Sequence, residues 1–172
     1  AQLQAIGVDA IGLTGADMNV IRSHRRPIKD GIDFGFVGDV DAVDATRLHT
    51  LIDAHLTPVL ATLTHNGTGT MLNTNADTIA SETARSLAKT DDVTLVYCFE
   101  KPGVLANPDD DNSVIPTITR ASFQRLTADG TISGGMLPKI ENALAAVGAG
   151  VKKVVITKAD CLDNNNGTII LL

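Results

Sequence analysis

Residues 130–151, GTISGGMLPKIENALAAVGAGV, place two adjacent glycines, Gly134 and Gly135, just ahead of Lys139 at the start of an amphipathic helix pattern. The first turn of a helix carries unpaired N–H groups and a partial positive charge, and glycines let an anion approach the backbone, so the pattern suits a phosphate. A solvated surface lysine behind a flexible turn has the same pattern, and the stretch alone leaves both readings open. A second stretch, LNTNADTIASETARSL, alternates Asn73, Asn75 and Asp77 between a strand end and a helix. On an extended segment, residues two apart point the same way, so three polar groups would converge at the carboxyl end of a sheet, where α/β folds bind ligands. Helix capping by Asn75 or Asp77 is the alternative. The third stretch, CFEKPGVLANPDDDNSVIP, is a strand followed by Lys-Pro-Gly and a long polar loop suited to lying over a nucleotide; the alternative is a type II turn with a solvated acidic loop. Asp109, Asp110 and Asp111 lack the glycine and terminal glutamate of a calcium loop, so no metal cage is expected there.

A framework must hold these stretches. Short β-rich runs at 8–13, 58–64, 93–99 and 154–157 alternate with helical spacing at Leu48, Leu51, Ile52 and Leu56, and again at Ile79, Thr83, Ala84 and Leu87. Further helices are expected at 120–128 and from Met136 to Val147. Strand and helix in alternation imply a mostly parallel sheet covered on both faces. Two segments break the alternation: 20–41 reads as an irregular hairpin, and HNGTGTMLN (65–73) as a tight turn, because Asn-Gly adopts positive φ readily.

Composition narrows the chemistry. The chain has 172 residues, enough for one substantial α/β domain, and 44% of them are hydrophobic without an apolar run near the ~20 residues of a membrane span. The opening residues show no basic region or long apolar stretch of a signal peptide, and Cys98 and Cys161 stand outside any CxxC or His-rich pattern. The expectation is a soluble, cytoplasmic protein with no membrane partner. A net charge of −6, with one Tyr, four Phe and no Trp, also argues against a nucleic-acid surface. No G-x-G-x-x-G joins a strand to a helix, which excludes the usual dinucleotide fingerprint.

Five segments, in order, carry a resemblance: GLTGADMNVI, DFGFVGDVDAVD, LNTNADTIA, KPGVL and DGTISGGMLPKIENALAAVGAGV. Together they resemble the amino-acid kinase superfamily, most closely its N-acetylglutamate kinase branch, nearly end to end. That resemblance implies a three-layer α/β/α sandwich with a mostly parallel sheet, ATP with Mg2+, and phosphorylation of the side-chain carboxylate of N-acetyl- or N-succinyl-L-glutamate in arginine biosynthesis. It also implies a homodimer, with 1–90 forming the second part of the amino-acid lobe and 91–172 the ATP-binding lobe. The helix-entry lysine of the family falls on Lys139, the carboxylate that organises the catalytic lysines on Asp77, and the substrate-binding asparagine on Asn73. Its nucleotide contacts fall on Glu100, Lys101, Pro102, Gly103, Val104 and Leu105, and on Thr131, Ile132 and Ser133. The family's first strand with its phosphate-binding lysine, its Gly-Gly substrate loop and a substrate arginine have no counterpart here, so a fold incomplete at the N-terminus is expected. CFEK stands where the family usually has T/S-D-V, with Glu100 in place of an aspartate. Two other readings stay open: a nucleotide-binding or assembly fragment inactive alone, and another superfamily member such as a uridylate or aspartate kinase.

Overall fold

Leu48 and Leu51 on one helix, and Ile79 and Ala84 on another, are buried at the helical spacing seen in the sequence, and this burial, more than intrinsic propensity, is what stabilises such short helices. The computed structural model describes residues 1–164 and 167–172 and divides into two units, Ala1–Ser86 and Leu87–Leu172. The fold is α/β with parallel-rich sheets.

The first unit contains α1 (Gln2–Ala5), β1 (Ala10–Leu13), β2 (Ile21–Arg25), β3 (Gly38–Val43), α2 (Ala45–Asp53), β4 (Thr57–Leu60), β5 (Leu63–His65), β6 (Met71–Asn73) and α3 (Ala76–Leu87). Strands β1 and β4 pair in parallel, Ala10 opposite Thr57. The remaining four form a sheet in the order β3-β2-β5-β6. The run 58–64, expected as one strand, is two. The Ala61 N–H closes the β1–β4 ladder on the Leu13 carbonyl, whereas the Leu63 carbonyl accepts from Gly15. Between those bonds the chain changes sheets, so that β5 can pair with β2 and β6. The turn after β5 is an Asx structure, with Asn66 Oδ1 accepting from the N–H groups of Thr68 at 2.9 Å and Thr70 at 3.0 Å.

Segment 20–41 is the expected irregular hairpin, with β2 antiparallel to β3 and a register shift between Arg22 and Ser23. Its long connection is held by paired charges. The Arg25 guanidinium donates to Asp33 at 2.8 Å and to the Gly35 carbonyl at 2.6 Å, and Arg26 donates to Asp39 at 2.6 Å. Each guanidinium also covers an aromatic face, Arg25 that of Phe36 at 5.7 Å and Arg26 that of Phe34 at 5.5 Å.

The second unit contains β7 (Thr94–Phe99), β8 (Thr117–Ile118), α4 (Arg120–Ala128), α5 (Met136–Gly148), β9 (Lys153–Lys158) and β10 (Thr168–Ile170), with sheet order β7-β9-β10-β8. Strands β7 and β9 run parallel, and β10 turns back antiparallel to β9. Ile140, Ala143, Leu144 and Val147 of α5 are buried at i, i+3, i+4 and i+7, the single stripe that packs a helix on a sheet. Val154, Ile156 and Ile170, each nearly inaccessible, supply the facing core.

Hydrogen bonds from Arg26 hold the Asp39 carboxyl below the usual carboxylate range, against an opposing contribution from partial burial. A carboxyl depressed in the folded state contributes stability that is present above its unfolded pKa and lost as pH falls through the folded value. The Tm gap between wild type and Asp39→Asn is therefore expected to be wide at about pH 7 and to close toward about pH 3. A gap of equal size at both would mean that the pair contributes nothing.

Candidate functional site

The chain leaves β7 at Phe99 and enters a loop whose shape is set by one buried hydroxyl. Thr168 Oγ1 accepts from the Val104 N–H at 2.8 Å and donates to the Ile115 carbonyl at 2.7 Å. Ile115 N–H donates back to the Val104 carbonyl at 2.8 Å, and Leu105 bridges Val114, so 104–115 forms an irregular hairpin. Position 103 admits only glycine in this arrangement, because a Cβ there would stand 2.8 Å from Val114 Cγ1 and 2.9 Å from Thr168 Oγ1. The acidic tip is closed on itself by Asn107, Asp110 and Ser113. The Lys101 ammonium donates to Asp111 at 2.8 Å, and this bond, reinforced by the charge of Asp111, raises its pKa.

Under this loop lies a cavity of about 170 Å³. Val104, Leu105, Pro108, Ile132 and Met136 give it apolar walls, and Lys101, Thr131 and Ser133 its polar edge, with Gly103 at the backbone. Thus the segments 100–105 and 131–133, far apart in sequence, line one hollow, although Glu100 and Pro102 lie outside its lining. The second segment is fixed from α4. Thr119 and Ser122 form a capping box at its start, and after its end Asp129 accepts from Thr131 N–H at 3.0 Å while Ile132 N–H donates to the Leu126 carbonyl at 2.8 Å.

The segment then opens α5. Gly134 has φ +56°, a left-handed conformation that glycine adopts without strain, and Gly135 is the N-cap, with no side chain capping the first turn. No acidic residue occupies that turn, and Pro138 lacks an N–H altogether. Lys139 is half-buried, its ammonium 3.6 Å above the centroid of the Phe99 ring. Such a cation–π contact is worth about 0.5–2 kcal/mol. Phe99 in turn stacks on Tyr97 at 6.0 Å between centroids.

The polar residues of the second stretch belong to the first unit. Asn73 ends β6, exposed, with its backbone N–H on the Phe36 carbonyl at 2.8 Å. Its neighbour Thr74 is buried, and the Thr74 hydroxyl bonds Thr64 at 2.9 Å and the Gly38 carbonyl at 3.2 Å, which ties the strand end to the hairpin. The expected alternation of Asn73, Asn75 and Asp77 along one extended segment does not occur, because helix α3 begins at Ala76. Asn75 instead caps it, accepting from Thr78 N–H at 3.1 Å, and half-buried Asp77 sits in its first turn. Among the described residues no three His, Cys, Asp or Glu side chains gather as a metal site, and no helix is long and apolar enough to cross a membrane.

Sequence reasoning missed Thr168, Pro108, Met136 and the ring under Lys139. The β-branched run Thr168-Ile169-Ile170 was a usable strand signal, and an aromatic in a chain with one Tyr and four Phe was another.

Residues 1–158 match the profile of the amino acid kinase family. The chain is 62% identical over 170 residues to the acetylglutamate kinase of Bacteroides thetaiotaomicron and 61% identical to that of Bacteroides fragilis, covering 99% of this chain and 66% and 65% of theirs. It therefore spans about two thirds of the length of these curated relatives. The crystal structure of smu.665 from Streptococcus mutans superposes with a TM-score of 0.78 at 32% identity, covering 99% of this chain and 64% of that one.

Replacing Thr168 by Val deprives the Val104 N–H of its acceptor and the Ile115 carbonyl of a donor. The expected loss is about 1–3 kcal/mol for each group left buried and unpaired, with substantial rescue by Thr168→Ser. Denaturant unfolding measures it, and a Val variant as stable as wild type would show that the loop does not depend on this hydroxyl.

Proposed function

Because the chain belongs to the amino acid kinase family, we propose that it serves a carboxyl phosphotransferase, moving the γ-phosphoryl group of ATP to the side-chain carboxylate of an N-acetyl- or N-succinyl-L-glutamate. The product is an acyl phosphate of cytoplasmic arginine biosynthesis, and the enzyme acts as a homodimer. The observation that carries this reading is the junction in the second unit, where a largely apolar hollow lined by Lys101, 103–105 and 131–133 adjoins the start of α5, which no side chain caps, with Lys139 one turn in. The names of the relatives at 62% and 61% identity support the acceptor.

In this reaction a carboxylate oxygen of the acceptor attacks the γ-phosphorus and the bond to the β–γ bridging oxygen breaks, so ADP departs with that electron pair and no proton has to move. The protein's task is therefore placement and charge neutralisation. The hollow holds the base against Val104, Leu105 and Ile132, and the phosphates lie toward the positive end of α5. The Met136 and Leu137 N–H groups there are already turned onto the Ser133 and Gly134 carbonyls, so that Lys139 carries the neutralisation. Lys139 neutralises charge developing on the transferred group, Asp77 organises the lysine cations, and Asn73 hydrogen-bonds the acceptor. Magnesium, when bound with the nucleotide, supplies further neutralisation on the phosphates, held there with one or two carboxylates at most.

In the longest reading frame that contains these residues, Lys139→Ala is expected to lower turnover on the order of 10²–10³-fold, the scale of removing one preorganised electrostatic donor. Stability should fall by no more than the cation–π contact, about 0.5–2 kcal/mol. Lys139→Arg should recover only part of the rate, because a planar guanidinium cannot replace a compact ammonium without moving its hydrogen bonds. Acyl phosphate formation from ATP, assayed with each N-acylglutamate, measures this; wild-type turnover in the Ala variant would make Lys139 a bystander.

Asp77→Asn is expected to lower kcat far more than it raises the KM for ATP, since it removes an interaction realised in the transition state. Steady-state kinetics in which both parameters move equally, or neither moves, would reduce Asp77 to a helix-capping acid.

A further inference from the structure

Phe99 is the last residue of β7, paired across the sheet with Lys158 of β9 and stacked on buried Tyr97 with an angle of 20° between the rings. Strand pairing and stacking hold the ring in place, and the Lys139 ammonium lies 3.6 Å above its centroid. Among the described residues no carboxylate stands within ion-pair distance of that ammonium. Lys139 is half-buried in the first turn of a helix, whose positive end disfavours a cation. Something must hold a flexible four-carbon side chain against that repulsion.

A carboxylate would do so by neutralising the charge, and it would then compete with any phosphate for the same three N–H donors. A π face attracts the cation through its quadrupole and leaves both the full charge and the donors available. We propose that Phe99 is a positioning residue, whose ring holds the Lys139 ammonium at the mouth of α5 and pre-places it for charge that develops on the transferred phosphoryl group. The proposal rests on the phosphotransferase reading above. It names a residue outside the lining of the hollow that acts through Lys139.

The test joins a spectroscopic and a kinetic readout in the longest reading frame that contains these residues. With ¹³C-labelled lysine, the Lys139 ε-methylene protons should resonate upfield of the other lysines through the ring current of Phe99. Phe99→Leu should abolish that displacement and lower kcat about 3- to 30-fold, the range a lost cation–π contact spans, with the KM for ATP nearly unchanged. Phe99→Tyr keeps the ring and should restore both. Unshifted methylene protons in the wild type overturn the proposal, as does wild-type turnover in Phe99→Leu when Lys139→Ala is crippled. If Lys139→Ala itself turns over normally, the phosphotransferase role of Lys139 fails and the positioning role with it. That failure is recognisable because the upfield signals persist in the wild type.

Discussion

The second unit depends on one buried hydroxyl. Thr168 stands at the start of β10 with its backbone committed to the sheet, and its side chain satisfies one N–H and one carbonyl of a loop more than fifty residues away in sequence. Ordering the loop 104–115 costs conformational entropy at every residue, and its backbone polar groups need partners wherever they are buried. Thr168 supplies two of them, and the close approach it demands excludes every residue but glycine at 103. The walls of the cavity follow: with Val104 anchored, Leu105 and Pro108 of the same loop line it together with Ile132 and Met136.

Two lysines near this cavity are held in opposite ways. Lys101 is paired to Asp111, and the pairing raises its pKa, so its charge is already answered. Lys139 lies on an aromatic ring, and its charge is not. For anion recognition the difference is decisive, because an ion pair must be broken before its cation can serve a phosphate, whereas a cation–π contact yields to a full negative charge at little cost.

In the first unit the analogous constraint is the Thr64–Thr74 pair with the Gly38 carbonyl. These buried groups join β5, the end of β6 and the start of β3, so the hairpin and the segment carrying Asn73 form one piece. Small hydroxyls suit the place, since they satisfy each other while allowing strands to approach closely.

Local pattern determined a good deal of this protein. The stripe Ile140, Ala143, Leu144, Val147 specified α5, the Asn-Gly pair specified the turn that follows β5, though not strand β6 within the same segment, and the ordered motifs around Asn73, Gly103 and Lys139 pointed to the amino-acid kinases, whose profile the chain matches. Those features were legible because periodicity and turn chemistry are carried by residues close in sequence. Tertiary structure alone decided the rest. The split of 58–64 into two strands came from competition between two sheets for the same backbone. The loss of the Asn73-Asn75-Asp77 alternation came from a helix that starts at Ala76, before Asp77. The pin at Thr168 and the ring beneath Lys139 join residues tens of positions apart, and no local signal encodes a partner that only packing brings within hydrogen-bond or van der Waals reach.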